Sequence, residues 1–166
     1  MGGNKHSTFP PIAKHLLAPV FNFKFNNMIS KANKIIQEAF RDKVDKGGEP
    51  YVHHLNRVAR KFEGTNNIVV SLLHDLLEDC PEWSEQKLRL EFPEKIVDAV
   101  VCLTKIKGES YLDYLNRVKS NEMALKVKIA DLEDNMDVKR LNLLTDKDCE
   151  RLKKYHKAWI ELIQFV

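Results

Sequence analysis

Cysteine is scarce in this chain. Its three cysteines, Cys80, Cys102 and Cys149, stand far apart and form no CxxC pair, which excludes a zinc knuckle and a disulfide scaffold. Reduced thiols in a cytoplasmic protein are the simple reading. Long apolar runs are missing too: none approaches the roughly 20 residues that span a bilayer, so no membrane partner is expected. The first residues lack the basic end, apolar run and small-residue cleavage site of a secretory leader. Nor does one charge sign dominate. Twenty-seven basic and 24 acidic residues leave a formal net charge of +3, too small a surplus to indicate nucleic acid. There is no internal repeat, no low-complexity linker and no sustained strand pattern.

What is present is an ordinary globular composition: 166 residues, 43% hydrophobic and 31% charged. That is enough for one domain with a proper core. Residues 1–26 differ from the rest. They carry Pro10, Pro11 and Pro19 and then Phe21-Asn22-Phe23-Lys24-Phe25, an alternation that suits a short extended segment packed on an apolar surface or a dimer contact. From Asn27 the spacing is helical. Ile29, Ala32, Ile35, Ile36 and Phe40 make one stripe, which Lys46-Gly47-Gly48-Glu49-Pro50 interrupts. His54, Leu55, Val58 and Phe62 make the next, and Ile68 to Asp79 reads as a very apolar central helix. Ser84 and Thr145 stand where N-caps belong, and Pro93 where a first turn tolerates it. The expectation is an all-α, single-domain bundle of about seven to nine helices, with residues 1–26 as an extension and 27–166 as the domain.

The chemistry concentrates in Ser71-Leu72-Leu73-His74-Asp75-Leu76-Leu77-Glu78-Asp79. Four ionisable residues sit among Val and Leu, and charge buried in such surroundings is costly unless paired or bound to a metal. His74 and Glu78 are four apart, as are Asp75 and Asp79, so one helix face and its margin can gather all four. Mixed imidazole and carboxylate ligands suit Mn²⁺, Fe²⁺ or Zn²⁺.

Two other segments add candidates. In Tyr51-Val52-His53-His54, His54 shares its face with Val58 and Phe62 and points to the core, whereas His53 points to solvent or a cleft rim. A core histidine satisfied by backbone is the plain alternative for His54. In Lys128 to Met136, Asp131 follows an apolar stretch one turn before Asn135. Glu133 and Asp134 read as an exposed acidic helix end. Lys126, Lys128, Lys139 and Arg140, with Lys153, Lys154 and Lys157, read as solvated helix faces.

The order His, His-Asp, Asp over helical sequence is that of the HD metal-dependent phosphohydrolases. Gly-Glu-Pro-Tyr-Val-x-His (48–54), Leu-Leu-His-Asp-x-x-Glu-Asp (72–79), Leu-Thr-Lys-Ile (103–106) and Lys-Ile-Ala-Asp-x-x-x-Asn-Met (128–136) closely resemble the hydrolase domain of the RelA/SpoT proteins and their small stand-alone relatives. The resemblance covers about residues 30–140. It implies an HD-type bundle and makes His54, His74, Asp75 and Asp131 ligands of one Mn²⁺-type divalent ion. Glu78 and Asp79 become the acid pair that activates water. Lys46, Tyr51 and Asn135 match substrate-facing positions, and Thr104 and Lys105 match pocket support. The implied reaction is metal-dependent release of pyrophosphate from the 3′ position of guanosine 3′,5′-bis-pyrophosphate (ppGpp).

The sequence departs from that pattern at several places. Asp45 stands where the family usually carries a basic residue that holds the purine. The family's Asp-Arg-x-His-Asn becomes Asp131-Leu132-Glu133-Asp134-Asn135. Leu55, Cys80 and Phe40 replace Pro, Thr and His. Two other readings therefore stand beside the first: an HD phosphohydrolase acting on another nucleotide or nucleotide-cofactor phosphate, and an idle HD module that binds a nucleotide or a protein. A two-metal site fits less well, because of the spare histidines (His6, His15, His53, His156) only His53 is near in sequence. Self-association stays open.

Overall fold

The computed structural model describes the backbone of residues 17–166 and the side chains of residues 27–166. Among these, nine α-helices follow one another: α1 (Leu17–Ala39), α2 (Tyr51–Ala59), α3 (Thr65–Leu73), α4 (Leu76–Asp79), α5 (Glu85–Glu91), α6 (Glu94–Leu103), α7 (Tyr111–Lys119), α8 (Glu122–Asn135) and α9 (Asp146–Leu162). The described residues form no strand, only an isolated antiparallel bridge between Val44 and Pro50. The all-α bundle expected from the periodicity is what forms. No helix among the described residues is long and apolar enough to cross a membrane.

The caps read from the sequence are in place. Ser84 accepts from the Lys87 amide, and Thr145 forms a capping box with Asp148. Pro93 opens α6. Each satisfies, or by lacking an N–H avoids, an orphan donor at a helix start.

Helix α3 lies at the centre, packed against α1, α2, α6 and α8. Val69, Val70, Leu72 and Leu73 are fully buried there, facing Ala32, Ile36 and Phe40 of the α1 stripe, Leu55 and Val58 of α2, and Val97 and Val100 of α6 in one core. Burying a Leu or Val side chain contributes about 1.5–3 kcal/mol, so this apolar centre supports the charged residues set into it.

Two expectations are corrected. The segment around Phe21–Phe25 is helical, not extended, because α1 begins at Leu17. Phe21 and Phe25 are four apart, so five residues of alternation serve a helical stripe as well as a strand, and Pro19 falls in the first turn, where a missing N–H is harmless. The contacts of Phe21, Phe23 and Phe25 lie outside the described residues. Second, Ile68–Asp79 is not one helix. It breaks after Leu73, with His74 and Asp75 forming the junction between α3 and α4.

Candidate active site

The break at His74-Asp75 has a local cause. Nδ1 of His74 lies 2.7 Å from the Ser71 carbonyl oxygen, the acceptor that an unbroken helix gives to the amide of Asp75. Asp75 takes φ −99° and ψ −1°, the sparsely used bridge region where active-site residues often sit. The dipeptide thus turns both side chains out of the apolar core toward α2 and α8.

That hydrogen bond also fixes the tautomer. A carbonyl only accepts, so Nδ1 carries the proton and Nε2 of neutral His74 presents a lone pair. Nε2 is buried and has no hydrogen-bond partner. It lies 3.1 Å from Oδ2 of Asp75 and 3.6 Å from Oδ1 of Asp131, near both carboxylates but without hydrogen-bond alignment to either. Nε2 of His54 faces the same point, 3.3 Å from Oδ1 of Asp131 and 3.7 Å from Oδ2 of Asp75. Ligand atoms of His54, His74 and Asp131 all lie within 4.8 Å of one another. An orphaned buried nitrogen facing a second imidazole and two carboxylates is the donor set of a divalent transition metal, and the group can hold one.

Electrostatics agree with that reading. Burial alone would lower the pKa of His74, yet Asp75 and Asp131 hold it well above the usual imidazole value. His54 is likewise raised, with burial opposed by Asp131 and Asp134. Burial would push Asp131 up, but the Lys128 ammonium and the two imidazoles hold it well below the carboxylate range. The field that draws protons here draws a cation, and the two compete for the same lone pairs.

The ligand candidates are oriented by their neighbours. Tyr51, stacked on the buried Phe40 ring at 5.1 Å, donates to Oδ2 of Asp75 at 2.6 Å. Asn135 donates to Oδ1 of Asp131 at 2.6 Å, and Lys128 donates to its Oδ2 at 2.7 Å. Nδ1 of His54 donates to Oδ2 of Asp134 at 2.7 Å. Such partners fix ring orientation and ligand basicity.

A cavity of about 400 Å³ opens on this cluster, and Lys46, Tyr51, Glu78 and Asn135 line it with the four ligand candidates. The backbone amide of Lys105 donates to Glu78 at 3.2 Å, whereas the Thr104 hydroxyl donates to the Val100 carbonyl of α6. Asp79 is not among the lining residues. Its pKa is raised, by burial first and by Asp75 second, and Lys43 bonds its carbonyl. His53 is exposed, as expected, and faces Glu49.

The sequence reading missed several groups. Asp134 is not an exposed helix end; its side chain is only 6% exposed and bonds Arg57 at 2.8 Å as well as His54. The signal was available: Val127, Ala130, Asp131 and Asp134 share one buried helix face. Glu133 is exposed, as expected, and pairs with Lys61. Lys128 and Arg140 are not solvated either. Both line the cavity, together with Tyr114 and Tyr155, whereas Lys139 is exposed.

Asp45 lines the cavity, yet its carboxylate is engaged elsewhere. Oδ1 accepts from the amides of Gly47 and Glu49. Oδ2 accepts from Arg57 at 3.2 Å and Arg140 at 2.8 Å. Gly47 has to be glycine here, since a Cβ would collide with the Arg140 carbonyl. A guanidinium therefore stands at this wall after all, carried by the short 3₁₀ helix Val138–Arg140 rather than by the loop.

No family model matches the chain. Among curated proteins it is similar to a guanosine-3′,5′-bis(diphosphate) 3′-pyrophosphohydrolase of Aquifex aeolicus (strain VF5), 27% identical over 146 residues, which is 81% of this chain and 20% of that protein. It is also similar to a Mycoplasma pneumoniae protein named "Probable guanosine-3′,5′-bis(diphosphate) 3′-pyrophosphohydrolase", 33% identical over 99 residues, which is 57% of this chain and 13% of that one. The chain spans only those small fractions of these relatives' length. A solved structure described as a metazoan ortholog of SpoT that hydrolyzes ppGpp, with a role in starvation responses, superposes with a TM-score of 0.64 at 19% identity, covering 94% of this chain and 88% of that one. The fold is the HD-type helical bundle. Within it, the HD dipeptide of this chain is His74-Asp75 at the α3–α4 junction.

Proposed function

We propose that residues 27–166 form a cytoplasmic, Mn²⁺-dependent phosphohydrolase domain that removes pyrophosphate from the 3′ position of ppGpp. The observation that carries the reading is the unpartnered Nε2 of His74, buried beside His54, Asp75 and Asp131 in the wall of a polar cavity. The names of the two curated relatives supply the substrate.

In this reading His54, His74, Asp75 and Asp131 are the metal ligands. A divalent cation held there supplies positive charge that polarises phosphoryl oxygens and makes water more acidic. Glu78, exposed at the cavity wall and held by the Lys105 amide, takes the proton from the attacking water at its carboxylate. Asp79, one position on, completes the acid pair. Attack at phosphorus forms the new P–O bond and breaks the bond to the ribose 3′ oxygen, which takes up a proton; the products are pyrophosphate and guanosine 5′-diphosphate. Lys46 faces the substrate's anionic groups. Tyr51 and Asn135 bound the substrate space while they orient Asp75 and Asp131.

One observation favours keeping a second reading. The guanidinium of Arg140 enters the cavity from a different element than the basic residue expected at position 45, so the pocket wall that reads the base is rebuilt. Another nucleotide or nucleotide-cofactor phosphate is the substrate in that case. The deciding experiment incubates the purified chain with ppGpp and Mn²⁺, with EDTA and Asp75→Ala as controls. Release of pyrophosphate lost in both controls supports the first reading. Absence of release with Mn²⁺ still bound overturns it in favour of the second.

A further inference from the structure

Asp131 has two oxygens with different tasks. Oδ1 faces both histidine Nε2 atoms, whereas Oδ2 is turned to Lys128 at 2.7 Å. Lys128 stands one turn before Asp131 on α8, its side chain 16% exposed, and its ammonium lies 5.5 Å from the centre of the Tyr114 ring. Tyr114 itself is anchored by its hydroxyl to the Leu103 carbonyl. Lys128 is therefore a fixed cation in a partly dehydrated wall of the cavity, where charge is screened less than in water.

The side-chain carboxylate that bonds Lys128 is that of Asp131, which on the proposed function is a metal ligand. When Oδ1 serves a metal ion, that single negative charge is shared between the ion and the ammonium. Lys128 is then short of compensation, and an anion arriving in the cavity meets it next to the metal centre. A surface lysine on a solvated helix has no such arrangement.

We propose that Lys128 is a substrate-binding cation, which holds a non-bridging oxygen of the substrate's pyrophosphate group beside the metal centre. The inference rests on the phosphohydrolase reading for the location of the metal, and it names pyrophosphate-bearing nucleotides as the class of ligand. It assigns to Lys128 a role separate from holding Asp131. The two roles predict opposite behaviour when the charge is removed. If Lys128 only positions Asp131, its loss weakens metal binding. If it binds the substrate anion, its loss leaves the metal bound, because the ligand gives up a competing cation, and weakens the anion.

The test uses the full chain loaded with Mn²⁺, with inorganic pyrophosphate as the probe, so it needs no knowledge of the nucleotide. Free Mn²⁺ is titrated by its electron spin resonance signal, and pyrophosphate binding is followed by calorimetry. The variants are Lys128→Met, Lys128→Gln, which can still donate to Asp131 without charge, and Lys128→Arg. The expected result is Mn²⁺ affinity retained or increased in Met and Gln, pyrophosphate affinity reduced about ten-fold or more, and partial recovery in Arg. Mn²⁺ affinity falling in step with pyrophosphate affinity in the Gln variant overturns the proposal and leaves a positioning residue. Unchanged pyrophosphate binding also overturns it. Failure of wild type to hydrolyse ppGpp, with these differences intact, counts against the substrate reading and not against Lys128.

Discussion

Nδ1 of His54 and Oδ2 of Asp134 lie 2.7 Å apart in a buried contact that spans 80 positions of sequence. The same carboxylate accepts from Nε of Arg57 at 2.8 Å, and Arg57 and Arg140 both reach Asp45. A metal-ligand candidate is thus tied through one carboxylate to a network joining α2, α8, the 43–50 loop and the 3₁₀ helix. Asp134→Asn keeps an acceptor oxygen but removes the charge and can present an N–H to the ring instead. Mn²⁺ affinity should fall about 10- to 100-fold, measured by metal titration of the purified variant. Unchanged affinity means that Asp134 serves the arginines and not His54.

Two adjacent histidines differ in their surroundings, and on the proposed function one is a metal ligand and the other is not. His54 is buried at the cluster, and His53 is exposed beside Glu49. His53→Ala should leave most activity and metal, whereas Asp75→Ala should abolish both. Equal loss in the two variants breaks the ligand assignment. Metal content after gel filtration, alongside turnover, reads both quantities.

How far these assignments were legible in the sequence depends on the range of the contact. His74 and Asp75 stood out because charge within a Val/Leu helix has few explanations; helical faces turned His54 to the core and set Asp131 one turn before Asn135, but only the resemblance to the HD phosphohydrolases joined the four as candidate ligands. The helix break between them did not show, because it depends on a ring nitrogen choosing the Ser71 carbonyl, which spacing cannot encode. Asp134, Arg57 and Arg140 were missed for another reason. Their partners lie 77 to 95 residues away, so each looked like a surface charge on its own helix. Asp45 looked like a change of pocket charge, while the structure uses it as an acceptor for two backbone amides and two arginines.

The proposed acid pair divides by position. Glu78 lines the cavity; Asp79 does not. Glu78→Gln should retain Mn²⁺ and lose turnover about 10²- to 10⁴-fold, the range of general-base catalysis. Asp79→Asn should cost about ten-fold, through the placement of its neighbour. A fully active Glu78→Gln enzyme removes that carboxylate from the mechanism, and a larger loss in Asp79→Asn transfers the proton-accepting role to it.

The same network sets a pH dependence of stability. Burial would push Asp134 up, but His54 and Arg57 hold it below the ordinary 3.8. Asp45 is also lowered, with burial opposed by the Glu49 and Gly47 amides and then Arg57 and Arg140. Groups depressed in the native state stabilise it above their unfolded pKa, and that stabilisation is lost as pH falls through the native values. The melting temperature of the metal-free chain should therefore be flat from this source above about pH 5 and fall below about pH 4. The Asp134→Asn variant should show a shallower acid limb. An identical limb in both forms assigns the acid loss to other carboxylates.

Restoring the basic residue that relatives resembled by this sequence carry at position 45 should harm this chain. Asp45→Arg removes the acceptor for Gly47 and Glu49 N–H and sets a third guanidinium beside Arg57 and Arg140, in a site where the Asp45 side chain is 6% exposed. Breaking a buried pair costs about 3–5 kcal/mol; because Arg57 is 31% exposed, solvent screening reduces that to about 2–4 kcal/mol here. Urea denaturation of the metal-free variant should show that loss. The paired change Asp45→Arg with Arg140→Asp reverses the charges and should recover at least half of it, since the two sites are in contact and couple. Without recovery, the cost lies in the loop amides, and the glycine turn at 47–48, with Gly48 at φ +85°, is what Asp45 chiefly maintains.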